Sequence, residues 1–326
     1  MIFTRDYWPD NSFEELIPEF SGIDSNFINT VEKLIYEEFS NDGNLIVLKD
    51  GYKIYEYYND NSSFEKLFDL KSVTKSILSL LVGNYYITNP EFINKKLSEI
   101  SPIFTDINLA IGDIKIENLL TMTSGLNWKN SGLVDLYVYE MIESDNWLDF
   151  IASKGMDTKQ IDKFQYSSAA SHLLGIALSL DSRKDLEDLA LRMFSPLNIT
   201  DYKWERDPQK FNTGGFGLYL KLEDLAKLGV LVNSGGTWNN EIIISRDYLA
   251  KAFTRQSKGI VRYNYGYHFW LSKYNDSEII SARGKGGQLL STIPKEDIVI
   301  AFCSNPDNLK KPNPDKITHL ILDNKL

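Results

Sequence analysis

Phe68-Asp69-Leu70-Lys71-Ser72-Val73-Thr74-Lys75-Ser76-Ile77-Leu78-Ser79-Leu80-Leu81-Val82 joins a serine suited to nucleophilic attack to a helix built for burial. From Ile77 to Val82 only Ser79 is polar, and Tyr85, Tyr86 and Ile87 continue the apolar character, so the helix belongs inside a domain. Ser72 falls at its first turn, where free backbone N–H groups and the positive end of the helix dipole favour an alkoxide or a developing oxyanion. Lys75 follows on the same face. Among apolar neighbours its ammonium loses hydration, its pKa falls, and the neutral amine can take the serine's proton. From this stretch alone a plain helix N-cap accounts for Ser72 equally well. A second Ser-x-x-Lys, Ser63-Phe64-Glu65-Lys66, follows the polar run Asn59-Asp60-Asn61-Ser62 and has no buried helix behind it.

At 326 residues the chain suits one large domain or two lobes. Its hydrophobic share of 43% and charged share of 25% are those of a globular protein with a large core. A net charge of -10 with no basic cluster argues against nucleic acid and anionic membrane as partners. Residues 1–6 lack the basic start and apolar run of a signal peptide, and residues 78–82 are too short a segment to span a bilayer. A cytoplasmic protein with no membrane partner is therefore expected. Cys303, the single cysteine, lies in an apolar strand-like run and reads as buried filler. His172, His268 and His319 are scattered without ligand spacing, so no metal site is expected. No Gly-x-Ser-x-Gly elbow, phosphate loop or dinucleotide fingerprint occurs, and the expected chemistry needs no cofactor.

Along the chain, a proline-punctuated start leads to a helix beginning near Ser25, and then to two β-rich runs, residues 44–48 and 52–58. Asp50-Gly51 between them signals a hairpin. Residues 88–210 are mostly helical and loop-rich. They include a short apolar helix over 116–126 stopped at Gly125, a helical stretch over 133–151, an apolar helix over 169–180 and an amphipathic one over 185–194. A glycine-rich turn at 214–217 precedes a helix over 222–233. Short runs at 265–272, 278–282, 289–293 and 298–304 read as antiparallel strands, and a last amphipathic helix covers 315–323. The fold class is α+β. Its antiparallel sheet, flanked by helices, is built from N- and C-terminal segments, residues 1–87 and 211–326, with an all-helical lobe over 88–210 inserted.

Acyl transfer through a serine needs a base for the hydroxyl, an acid for the leaving group and two donors for the oxyanion. Ser72 and Lys75 supply the first pair. Tyr166 stands ahead of a buried helix, and a phenol near two ammonium groups has a lowered pKa and can shuttle a proton. In Lys285-Gly286-Gly287-Gln288 the lysine supplies a positive field, the glycines let substrate lie against a strand edge, and the Gln288 N–H joins the Ser72 N–H as an oxyanion donor. Trp128 reads either as a pocket wall or as simple packing.

Four stretches together resemble one known family: Ser72-Val73-Thr74-Lys75, Leu119-Leu120-Thr121-Met122-Thr123-Ser124-Gly125-Leu126, Tyr166-Ser167-Ser168 and Gly284-Lys285-Gly286-Gly287-Gln288. With Gly215-Phe216-Gly217-Leu218 and Tyr265-Gly266-Tyr267 in support, they are similar to the serine β-lactamase and penicillin-binding superfamily, in the class C and esterase-like branch that includes 6-aminohexanoate-oligomer hydrolases. The resemblance implies Ser72 as the acylated serine, Lys75 as its base, Tyr166 as the proton shuttle, and Lys285 as the residue opening the third motif. It places Ser124 in a structural loop. Ser168 stands where classical β-lactamases carry a substrate-contacting asparagine, and Gly286 where they carry a threonine or serine that helps hold the β-lactam carboxylate. Both departures favour a serine hydrolase of small esters or amides. The alternatives are a D-amino-acid peptidase or weak β-lactamase, and a non-catalytic binding protein that retains the pocket.

Overall fold

The β-rich runs pair into one antiparallel sheet of seven strands: β1 (Gly43–Lys49), β2 (Tyr52–Tyr57), β3 (Asn264–Tyr265), β4 (Trp270–Tyr274), β5 (Ser277–Arg283), β6 (Leu289–Ile293) and β7 (Ile298–Ser304). Their spatial order is β3-β4-β5-β6-β7-β1-β2. The computed structural model describes residues 7–131, 134–260, 262–305, 307 and 313–326. Strand β1 pairs with β7 from Gly43 opposite Ser304 to Lys49 opposite Ile298, so the two ends of the chain meet in the middle of the sheet. The β1–β2 turn has Asp50 at φ 55° and Gly51 at φ 88°. Both signs are those a two-residue hairpin with the twist of its strands requires.

All seven residues of β7 are buried, which an antiparallel strand with one wet face would not show. Helices cover both faces. On one, α1 (Phe27–Glu38) sends Phe27, Val31 and Ile35 into a cluster with Leu45, Val47, Ile300 and Phe302, and the last helix adds Ile317 and Ile321. On the other, Ile46, Leu48, Val299, Ala301 and Cys303 face the cluster of α2 (Val73–Tyr85) and α4 (Leu222–Asn233). The third helix named here, α3 (Ser168–Ser182), belongs to the same cluster. The last helix is α5 (Asp315–Asp323). Residues Val73 to Gly83 of α2 are buried without interruption, as its apolar sequence requires.

Three elements differ from the sequence reading, two of them through tertiary contacts and one through a local helix cap. The helix expected over 116–126 ends at Leu120, because Ser124–Leu126 instead forms a strand paired with Met156–Ile161. Gly125 takes φ 73° there, and a Cβ on it would lie 2.5 Å from the Ile161 side chain. The stretch expected over 133–151 is two helices, Tyr137–Ile142 and Trp147–Lys154, the second capped by the Asn146 side chain accepting from the Asp149 N–H at 3.2 Å. Leu133 itself lies outside the described residues. The strand expected over 265–272 breaks between β3 and β4, where Gly266 comes so close to Ala252 that a Cβ would lie 1.8 Å from its carbonyl oxygen. The broken segment fastens to α2: Ser79 Oγ donates to the Tyr267 carbonyl at 2.8 Å and Ser76 Oγ to the His268 carbonyl at 2.6 Å. Among the described residues, no helix is long and apolar enough to cross a membrane.

Candidate active site

Ser72 immediately precedes α2, and the chain reaches it through a left-handed residue, Lys71 at φ 48°. A non-glycine residue there costs about 1–2 kcal/mol, and the turn is held by Asp69, whose carboxylate accepts from the Lys71 N–H at 3.0 Å and meets its ammonium at 2.7 Å. One helical turn on, Lys75 is buried, with Nζ 3.0 Å from Ser72 Oγ, 3.1 Å from Ser168 Oγ and 2.7 Å from the Gly215 carbonyl oxygen. Burial brings its pKa down to about 8, against the opposing pull of the Asp135 carboxylate. A neutral amine has two N–H bonds and one lone pair. The Gly215 carbonyl can only accept; when Ser168 Oγ accepts as well, the lone pair faces the Ser72 hydroxyl.

Tyr166 lies over this pair, its ring centre 5.0 Å from Lys75 Nζ and stacked on Trp270 at 5.7 Å. The lowered phenol pKa expected from the sequence is not what the surroundings produce. Burial pushes it up, the Ser72 hydroxyl opposes that, and the Asp135 charge raises it further. Of the two ammonium groups invoked, that of Lys75 sits over the ring. The Lys285 side chain is more than half exposed, with Nζ 3.8 Å from Asp307 Oδ1 and 6.0 Å from the Tyr139 ring centre. Lys285–Gly287 is a short 3-10 turn between β5 and β6, with Gly286 at φ 83° and Gly287 at φ 102°. The residue before the turn approaches the chain just ahead of Ser72: a Cβ on Gly284 would lie 2.6 Å from the Leu70 carbonyl oxygen. The Gln288 side chain is buried and ties the turn to β7, donating to the Ser304 carbonyl at 2.6 Å. Among the described residues, no backbone carbonyl accepts from the Ser72 or Gln288 N–H.

Trp128 is buried and packs edge-on against Tyr137 and Phe150. Its indole N–H donates to Asp135 Oδ1 at 2.6 Å, while Asp135 Oδ2 accepts from the Ser168 N–H at 2.7 Å. Asp135 thus fixes the first turn of α3, which carries Ser168 to Lys75.

The sequence profile of the beta-lactamase family matches residues 40–324. The chain belongs to this family. Among solved structures, a candidate beta-lactamase from Bacteroides dorei DSM 17855 superposes with a TM-score of 0.76 at 16% identity, covering 93% of this chain and 99% of that one. A candidate 6-aminohexanoate-dimer hydrolase from Bacillus anthracis gives 0.69 at 15%, covering 98% and 89%. EstCE1, described as a hydrolase with promiscuous acyltransferase activity, gives 0.72 at 17%, covering 92% and 97%. No curated protein matches. In this member of the beta-lactamase family the residues that sequence reasoning missed are Asp135, the Gly215 carbonyl and His268. His268 is buried beneath α2 with Nδ1 3.0 Å from the Lys75 carbonyl oxygen, and burial lowers its pKa to about 4. An isolated aspartate, a carbonyl and a lone histidine carry no pattern along the chain; only their juxtaposition distinguishes them.

Proposed function

We propose that the protein is a serine hydrolase that forms an acyl-enzyme at Ser72 and hydrolyses a small ester or amide. The observation that carries the reading is the 3.0 Å contact of a buried, pKa-lowered Lys75 with Ser72 Oγ, with the Gly215 carbonyl taking another of the amine's N–H bonds. In this mechanism the Lys75 lone pair takes the Ser72 proton as Oγ attacks the substrate carbonyl. The Ser72 and Gln288 N–H groups hold the oxyanion, a contribution of about 3 kcal/mol from each donor. A tyrosine kept protonated by burial suits the acid step, so Tyr166 protonates the leaving group and regains its proton from the Lys75 ammonium. Water then attacks the ester carbonyl by the reverse relay, with neutral Lys75 again the final acceptor, and Ser72 leaves with its proton restored.

Ser72→Ala keeps the fold and loses covalent labelling by a fluorophosphonate ester, read by intact-protein mass spectrometry. Stoichiometric labelling of the variant would overturn the assignment. A Ser72-dependent adduct with the phosphonate alone supports the ester or amide reading, whereas a stable adduct with benzylpenicillin as well would replace it with a penicillin-binding peptidase.

A further inference from the structure

His172 and Asp207 lie outside the constellation described so far, yet both are buried and they face each other, Nε2 to Oδ2, at 2.9 Å. On the other side of the imidazole the Gly214 N–H points at Nδ1, 3.4 Å away. A backbone N–H can only donate, so Nδ1 carries the lone pair and the ring proton sits on Nε2, directed at the carboxylate. The second Asp207 oxygen accepts from the Phe211 N–H at 2.8 Å, closing the loop that leads to Gly214. That loop is pressed onto α3: a Cβ on Gly214 would lie 2.1 Å from the Ser171 carbonyl oxygen, and one on Gly215 would lie 3.1 Å from Ser168 Cβ. The next carbonyl, that of Gly215, is the 2.7 Å acceptor for Lys75 Nζ. We propose that His172 and Asp207 are a buried positioning pair which, through Gly214, sets the Gly215 carbonyl and thereby aims the Lys75 lone pair at Ser72.

The inference rests on the reading of Ser72 and Lys75 as nucleophile and base. It makes a prediction that simple core filling does not. His172→Phe keeps an aromatic ring against Trp147 but removes both bonds. Asp207→Asn keeps its shape but turns an amide N–H toward Nε2, which moves the ring proton to Nδ1 and sets it against the Gly214 N–H. His172→Gln restores a donor toward Asp207 and an acceptor toward Gly214. The readout is the rate of Ser72 labelling by a fluorophosphonate as a function of pH, resolved into kinact and KI. Misplacing a reacting group by about 1 Å costs on the order of a hundredfold. The expectation is that His172→Phe and Asp207→Asn lower kinact by about 10- to 100-fold with KI little changed. Lys75 is faced by Asp135, Tyr166 and, from beneath, His268; since burial is the main cause of its lowered pKa, loosening the loop admits water and moves the labelling limb to higher pH. His172→Gln recovers most of both. A folded His172→Phe with wild-type kinact and an unmoved limb overturns the proposal, as does a His172→Gln no better than it. If His172→Phe does not fold, Asp207→Asn against His172→Gln decides by the same two criteria. Failure of wild type to label at Ser72 would remove the parent reading and this inference together; a labelled wild type with unaffected variants removes this inference alone.

Discussion

Lys75 with a pKa near 8 is about one-tenth neutral at pH 7. Ser72 labelling by a fluorophosphonate should therefore rise about tenfold per pH unit below 8 and level off above it; a flat profile from pH 6 to 9 would mean that Lys75 is not the base. Asp135 is the charge that holds this lysine up, so Asp135→Asn should displace the limb to lower pH, measured in the same way. His268, already lowered to about 4, does not titrate in that window. Ser72 and Lys75 were legible because one helical turn joins them, so their spacing along the chain is their spacing in space. Ser168 stood out through the resemblance alone, and Tyr166 through it and through its place ahead of a buried helix. The Tyr166 pKa is raised where the sequence suggests a lowered one, since a sequence shows which charges exist but not how deeply a group is buried, and desolvation is the largest cause.

At the scale of elements, the site depends on close backbone approaches that only glycine permits. Gly214→Ala would drive a methyl group to 2.1 Å from the Ser171 carbonyl oxygen, with backbone atoms of Ser171 and His172 as its three nearest neighbours and no flexible side chain among them to yield. Overpacking of this kind costs about 1–3 kcal/mol. Gly22→Ala serves as the comparison. Gly22 has φ 75° but nothing within 4 Å of its Cβ position, so only the left-handed backbone is penalised, by about 1 kcal/mol. Denaturant titration should rank Gly214→Ala as the more destabilised, and equal losses would show that the loop moves freely off α3. Helix ends were the least legible elements. The segment after Leu120 and the break between β3 and β4 were settled by partners distant in sequence, Met156–Ile161 in one case and Ala252 with α2 in the other.

For the whole molecule, burying the Lys75 amine has a cost in stability. The folded-state pKa of Lys75 lies below its unfolded value near 10.4, so between pH 8 and 10.4 the unfolded chain binds more protons and stability rises with pH. Relative to Lys75→Met, which has nothing to titrate there, wild type should gain about 2 kcal/mol in unfolding free energy from pH 7 to 9.5. An unchanged difference would mean that the lysine is hydrated in the folded state. The variant also serves as the reference for the many buried tyrosines, whose own titration cancels in the comparison. By itself the sequence determined the α+β class, the antiparallel sheet drawn from both ends of the chain, the buried helix and the Ser72–Lys75 pair, because apolar periodicity and short-range spacing are properties of the chain as written. Only the tertiary structure decided that Asp135 anchors Ser168, that a backbone carbonyl meets Lys75, that Trp128 is buried and that the Lys285 side chain is more than half exposed beside Asp307. Those outcomes depend on the distance and desolvation of groups far apart in sequence, and neither quantity exists until the chain has folded.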